Sequence, residues 1–349
     1  MNTDSNRRHD IDWLRVIAIG LLLIYHMAIG FQSWGVMIGF ITTPKLWPGL
    51  WAPMSLLNVW RIPLLFFVSG MGVYFAMRQR TLVQLLAERC KRILLPFVFG
   101  MFALVPLHQL LWRHHYGMNL VYSYDPGHLW FLANIFIYVV VLCPLFYFFK
   151  QNSGHPVAQF IQNTFAQPVG LLVVAAAFVA EALIVKPMPF ELYAMTWHGF
   201  FMGLLAFFFG YCFVWSGPAF WVLIVRWRWA LLILGACLFL ARIQYWGMGA
   251  PLYLLAIESL TWILAVLAFG NKYLQKPRKA LAYLSQAAYP VYMLHMLFLY
   301  LGSALIFPLP VPAPVQFLLV LAFTAGGCFL SFEIIRRLKW VRPLFGLKM

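Results

Sequence analysis

The stretch DIDWLRVIAIGLLLIYH, residues 10–26, decides how the chain is read. It is the first long apolar run, and it holds a cation, Arg15, and an imidazole, His26, eleven residues apart. On an α-helix that spacing is about three turns, so both project from nearly one face, roughly 16 Å apart along the axis. A cation and an imidazole set among aliphatic residues need partners or a function. Asp12, one turn before Arg15, is placed to pair with it. His26, with an unperturbed pKa of about 6.5, suits a general base. The plainer readings are a snorkelling arginine and a structural histidine.

Composition says what surrounds this helix. Of 349 residues, 64% are hydrophobic and 10% charged, with a mean hydropathy of +0.83. Soluble domains carry about 25% charged residues, so this much apolar surface belongs in a bilayer. The apolar runs are long and lack the alternation of barrel strands, which gives an all-α integral membrane protein. A net charge of +16 would suggest nucleic acid in a soluble protein. Here the cations cluster at the ends of apolar runs, where they set topology, so no nucleic-acid partner is expected. Five cysteines without CxxC spacing suggest neither a disulfide framework nor a metal site.

Ten spans are expected, at 11–30, 55–77, 93–112, 129–149, 169–185, 194–215, 229–247, 251–271, 283–306 and 314–335. With the N-terminus inside, 19 of the 25 Lys and Arg residues, beginning with Arg7 and Arg8, fall on inner segments. Four fall on outer segments (Lys45, Arg113, Lys186 and Arg242), and Arg15 and Arg61 lie within spans. The split fits a bundle of about ten transmembrane helices with both termini cytoplasmic. No loop is long enough for a further domain, so residues 1–349 read as one membrane domain. The outer loop at 113–128, rich in His and Tyr, is placed to meet a polar substrate.

Other polar groups are few. Arg89 and Arg92, three apart under the membrane, share a face on a regular helix and suit a phosphate ligand; the alternative is a positive-inside anchor. Tyr289, Tyr292 and His295 form a stripe at intervals of three. Glu181, His198 and Glu258 read equally well as structural polar pairs. Arg61 is a further cation deep in the second span, for which a carboxylate such as Glu258 is a candidate partner.

Together these stretches resemble the acyltransferase-3 superfamily of membrane acyltransferases. DIDWLRVIAIGLLLIYH is similar to its first helix, RIPLLFFVSGMG (61–72) to its apolar-Ser-Gly helix, and ERCKRILLP (88–96) to its Arg-x-x-Arg segment. HLWFL (128–132) resembles its Trp-Phe motif, AAYPVYMLH (287–295) its Ser-Tyr-x-x-Tyr-x-x-His segment with Ala288 in place of the serine, and SFEIIRRLKWVRPLFG (331–346) its closing helix. RIPLLFFVSGMG and the RPLFGLK tail look most like the branch containing the glucan biosynthesis C protein, associated with succinyl transfer to periplasmic glucans. Some members carry an extra SGNH hydrolase domain, which is not expected in this chain.

The resemblance implies a bacterial inner-membrane enzyme with a cytoplasmic acyl-CoA donor, acetyl-CoA or succinyl-CoA, and a carbohydrate hydroxyl as acceptor. It implies no permanently bound cofactor. Arg89 and Arg92 would hold CoA phosphates. His26 would act as general base or accept the acyl group itself, and Arg15, oriented by Asp12, would stabilise negative charge. Arg61, Ser69, Trp130, Tyr292, His295 and Glu333 would line the pocket. The rival reading is a transporter for a small anionic or proton-coupled substrate, which predicts flux without acyl-CoA consumption. Against it, no inverted repeat is visible.

Overall fold

The computed structural model describes residues 8–246 and 249–348. Arg7, counted among the inner cations, and Gly247, expected to end the seventh span, lie outside the described residues. Every regular element among the described residues is helical. Ten helices are long and apolar enough to cross a membrane. They are α1 His9–Ile29, α2 Pro48–Arg78, α3 Leu82–His115, α4 Gly127–Gln151, α5 Pro168–Val185, α6 Trp197–Trp215, α7 Arg228–Tyr245, α8 Leu252–Tyr273, α9 Lys279–Ile306 and α10 Ala313–Ile335.

Their order matches the expected spans, and the largest difference is in α3. Helix begins at Leu82, so much of the expected inner loop is helical. Two π-turns, Cys90–Leu94 and Gly100–Leu104, interrupt α3 ahead of Pro96 and Pro106. A proline inside a helix lacks an N–H and crowds the carbonyl four residues back, and a wider turn absorbs both effects. The Phe102 carbonyl, which Pro106 leaves without its helical donor, accepts instead from the Tyr122 hydroxyl at 2.8 Å.

The chain forms two compact units. The first comprises the described part of Met1–Ala18 with Asn58–Ala87 and Asn134–Leu281. In it α2 and α6 cross with their backbones touching. A Cβ on Gly70 would collide with the Phe207 carbonyl, and one on Gly210 with the Phe67 carbonyl. Small residues at a crossing let helices gain close van der Waals contact where lipid gives no hydrophobic drive. Two buried polar pairs lie among the described residues of this unit. Glu181 on α5 faces His198 Nδ1 on α6 at 2.9 and 3.0 Å, as expected of structural partners. Arg242 on α7 donates from Nε and Nη2 to Glu258 on α8 at 2.8 and 3.0 Å.

That second pair corrects the charge map. Arg242 is not an outer-segment cation but a wholly buried residue of α7, so it carries no topological signal. It also occupies the carboxylate considered above as a partner for Arg61.

The second unit comprises Ile19–Leu57, Glu88–Ala133 and Ala282–Met349. It holds the C-terminal half of α1, most of α3, the start of α4, all but the first turn of α9, and α10. The short helix Arg342–Phe345 folds back beneath α3, with the Phe345 ring 5.4 Å from Phe99. Arg342 caps the end of α10 by donating to the Arg336 carbonyl.

Candidate active site

Helix α1 contributes to both units, and Arg15 and His26 divide between them. In the first unit Arg15 Nη1 lies 3.3 Å from Asp12, the pairing that the one-turn spacing suggests. Arg15 faces α2: a Cβ on Gly72 would stand 3.6 Å from its guanidinium, one turn along from Ser69. Ser69 directs its hydroxyl to the Leu65 carbonyl of its own helix at 2.7 Å. Arg61, 1% exposed, opens the regular helix of α2.

The second unit brings His26 and His295 together. His26 Nδ1 stands 2.9 Å from His295 Nε2, and the two rings are parallel to within 4°. His295 is fully buried, whereas His26 is only part-buried. His295 Nδ1 lies 2.6 Å from the Tyr292 carbonyl, one turn back on α9. A carbonyl can only accept, so this nitrogen carries hydrogen. With His295 neutral, its Nε2 is then the acceptor and His26 Nδ1 the donor. The tautomer follows from the hydrogen-bond network, and it leaves the lone pair of His26 on Nε2.

Around the dyad the wall is aromatic. Phe40 lies 5.7 Å from the His26 ring and Tyr25 lies 5.8 Å from it, centroid to centroid. Tyr292 turns its hydroxyl to the His128 carbonyl at 2.5 Å, and its ring is 6.2 Å from Phe131, the neighbour of buried Trp130.

Two further histidines join this group. His128 packs edge-on to His295 at 5.0 Å and faces the Met293 carbonyl through Nε2 at 3.1 Å. His108 on α3 follows, 5.6 Å from His128. The sequence reading names neither as a site residue. His108 lies within the third span and meets the same criterion of an ionisable group among apolar residues. His128 closes the His-rich loop 113–128 and opens the HLWFL stretch, and its place beside His295 shows only in its contacts.

The remaining expected residues lie elsewhere in this unit. Arg89 ends the first regular turns of α3, and the π-turn Cys90–Leu94 follows it directly. The shared face assumed a regular helix; here Arg92 pairs with Glu88 at 3.4 Å. The buried Tyr289 hydroxyl has no hydrogen-bond partner among the described residues. Glu333 accepts from the Tyr283 hydroxyl at 2.9 Å and pairs with Arg336 at 2.7 Å. Tyr283 is twelve residues before His295 on α9, about 18 Å along the axis, so Glu333 is not at the histidine dyad. Among the described residues no group of three or more His, Cys, Asp or Glu is arranged to hold a metal ion.

The family model for the acyltransferase domain of the acyltransferase-3 family matches residues 8–333, nearly the whole chain. No curated protein and no solved structure matches it. With ten apolar helices and this match, the chain belongs to the acyltransferase-3 family and is a multi-pass membrane acyltransferase.

Proposed function

We propose that the protein transfers a short acyl group from acyl-CoA, bound from the cytoplasm, to a hydroxyl of an extracytoplasmic carbohydrate. Both termini then face the cytoplasm of a bacterium, and α1 runs outward from Arg15 to His26. The observation that carries this reading is the hydrogen bond between His26 and His295. It leaves a basic nitrogen on a part-buried ring, with a second imidazole behind it.

The step follows from that geometry. His26 Nε2 takes the proton of the acceptor hydroxyl as its oxygen bonds to the acyl carbon. The carbon–sulfur bond breaks, and the thiolate leaves to be protonated. The His26 imidazolium keeps its Nδ1–H directed at His295 Nε2, which shares the positive charge. His295 therefore acts as a positioning residue, much as the acidic member of a catalytic triad orients its histidine. The same lone pair also suits attack on the thioester, in which case an acyl-histidine forms first. Arg89 and Arg92 are assigned to the CoA phosphates and Arg15 to negative charge on the donor. Tyr292 and Trp130 are assigned to the pocket wall.

Within the family we favour the branch of the glucan biosynthesis C protein, with succinyl as the acyl group. The buried cation Arg61 is the candidate for the distal carboxylate. Mass analysis of extracytoplasmic carbohydrates from cells with the wild-type protein and with His26→Ala tests the assignment. A mass increment present only with the wild type identifies the acyl group. Identical carbohydrate masses in the two strains would overturn it.

A further inference from the structure

The stretch between α3 and α4 does not simply arch over the outer ends of the helices. Gly127, where α4 begins, backs onto Val105: a Cβ there would meet the Val105 side chain at 3.0 Å. Val105 lies ten residues before the end of α3, about 15 Å back along the helix. Between these points Met118–Pro126 has no regular structure and runs back down the side of α3. Three contacts pin it. Tyr122 donates to the Phe102 carbonyl at 2.8 Å, Ser123 donates to Gln109 at 2.7 Å, and the Tyr124 ring lies 5.2 Å from Phe102.

This descending backbone has an unusual hydrogen-bond state. Among the described residues, the N–H groups of Asn119 through Asp125 donate to no carbonyl or side chain. Non-helical backbone at membrane depth is tolerated only where protein or water satisfies it. Seven such groups facing hydrocarbon would outweigh the whole net stability of a folded domain. Protein does not satisfy them, so water does.

We infer that Asn119–Asp125 is the wall of a water-filled vestibule that leads the carbohydrate acceptor down to His26 and His295, with Tyr122 and Tyr124 as its stacking surface. Tyr122 and Tyr124 both reach Phe102, and they and Leu120 remain open to solvent. Leu120, Tyr122 and Tyr124 are 62%, 58% and 63% exposed. The two tyrosine rings are held in place through Phe102, so little freedom is lost when a ligand covers them. A pyranose suits such a surface: its C–H face covers an aromatic ring, and its hydroxyls remain in water. Four residues beyond Tyr124, His128 touches the His295 ring, so the wall runs into the dyad. The choice of a carbohydrate as occupant rests on the proposed function; the water-filled vestibule rests on the backbone alone.

Two measurements on the full chain in sealed vesicles test this. The first places Leu120→Cys in a background with the exposed thiols Cys90 and Cys237 replaced by serine. A membrane-impermeant maleimide added outside labels it. Labelling by a lipid-soluble maleimide alone would overturn the vestibule. The second compares acceptor KM. Tyr122→Ala and Tyr124→Ala each raise it by about tenfold, with kcat and the acyl-CoA KM within about threefold, while Tyr124→Phe, which keeps the ring contact with Phe102, restores the acceptor KM. Unchanged acceptor KM in the alanine variants would overturn the stacking role. If the wild type acylates no carbohydrate, the proposed function and the occupant fail together, and the labelling still decides the vestibule.

Discussion

His295 Nδ1 lies 2.6 Å from the Tyr292 carbonyl, and this single contact orders the histidine pair. Because the carbonyl can only accept, it fixes the hydrogen on His295 and, through the 2.9 Å bond to His26, the lone pair on His26 Nε2.

Removing the acceptor behind His26 therefore slows turnover. His295→Ala lowers kcat by roughly 10²-fold, within the range assigned to positioned acid–base groups. His295→Gln, whose carbonyl oxygen can accept from His26 Nδ1, recovers part of that loss. Initial rates of acyl transfer in vesicles give the order wild type, Gln, Ala. Equal rates for the two variants would show that His295 acts through bulk alone.

The Arg242–Glu258 pair is a stability element. Both side chains are wholly buried, so truncating one removes the other's paired hydrogen bonds. Glu258→Ala destabilises the fold by about 3–5 kcal/mol, whereas the double replacement Arg242→Met with Glu258→Leu restores most of it. Thermal unfolding in detergent reads both changes.

Glu191, in the connection between α5 and α6, gives a pH-dependent stability. Burial raises its carboxyl above the ordinary 4.5, and Arg242 and His198 offset only part of that. Its charged form is thus disfavoured in the fold. Stability falls as pH rises through the raised value and returns as pH drops below it. Glu191→Gln raises the unfolding temperature at neutral pH, and the gain disappears in acid. A gain independent of pH would point away from ionisation.

The α2–α6 crossing tolerates no added carbon. Gly70→Ala and Gly210→Ala each press a methyl group onto a facing carbonyl and cost about 1–3 kcal/mol or more. Folded yield after solubilisation drops for both, while Gly20→Ala, with open space around it, serves as the control.

The helical bundle was legible because apolar run length reports bilayer crossing directly, and all ten runs are helices. The Asp12–Arg15 pair was legible for a similar reason, since both residues sit one turn apart on one helix. Arg242 was misread because a charge near the end of an apolar run has the same signature whether it meets water or a buried carboxylate; Glu258 decides which, from another helix. The approach of His295 to His26 spans 269 positions in the chain, and no local period encodes it. The π-turn after Arg89 was hidden likewise: Pro96 announces a disturbed helix but not which turn absorbs it.

The most direct test of the account is single-turnover acyl transfer from labelled acyl-CoA to carbohydrate by the purified protein in sealed vesicles, with His26→Ala beside the wild type. The account predicts labelled carbohydrate from the wild type and a rate at least about 10²-fold lower for His26→Ala, with acyl-CoA binding retained. Transfer by His26→Ala at the wild-type rate would contradict it.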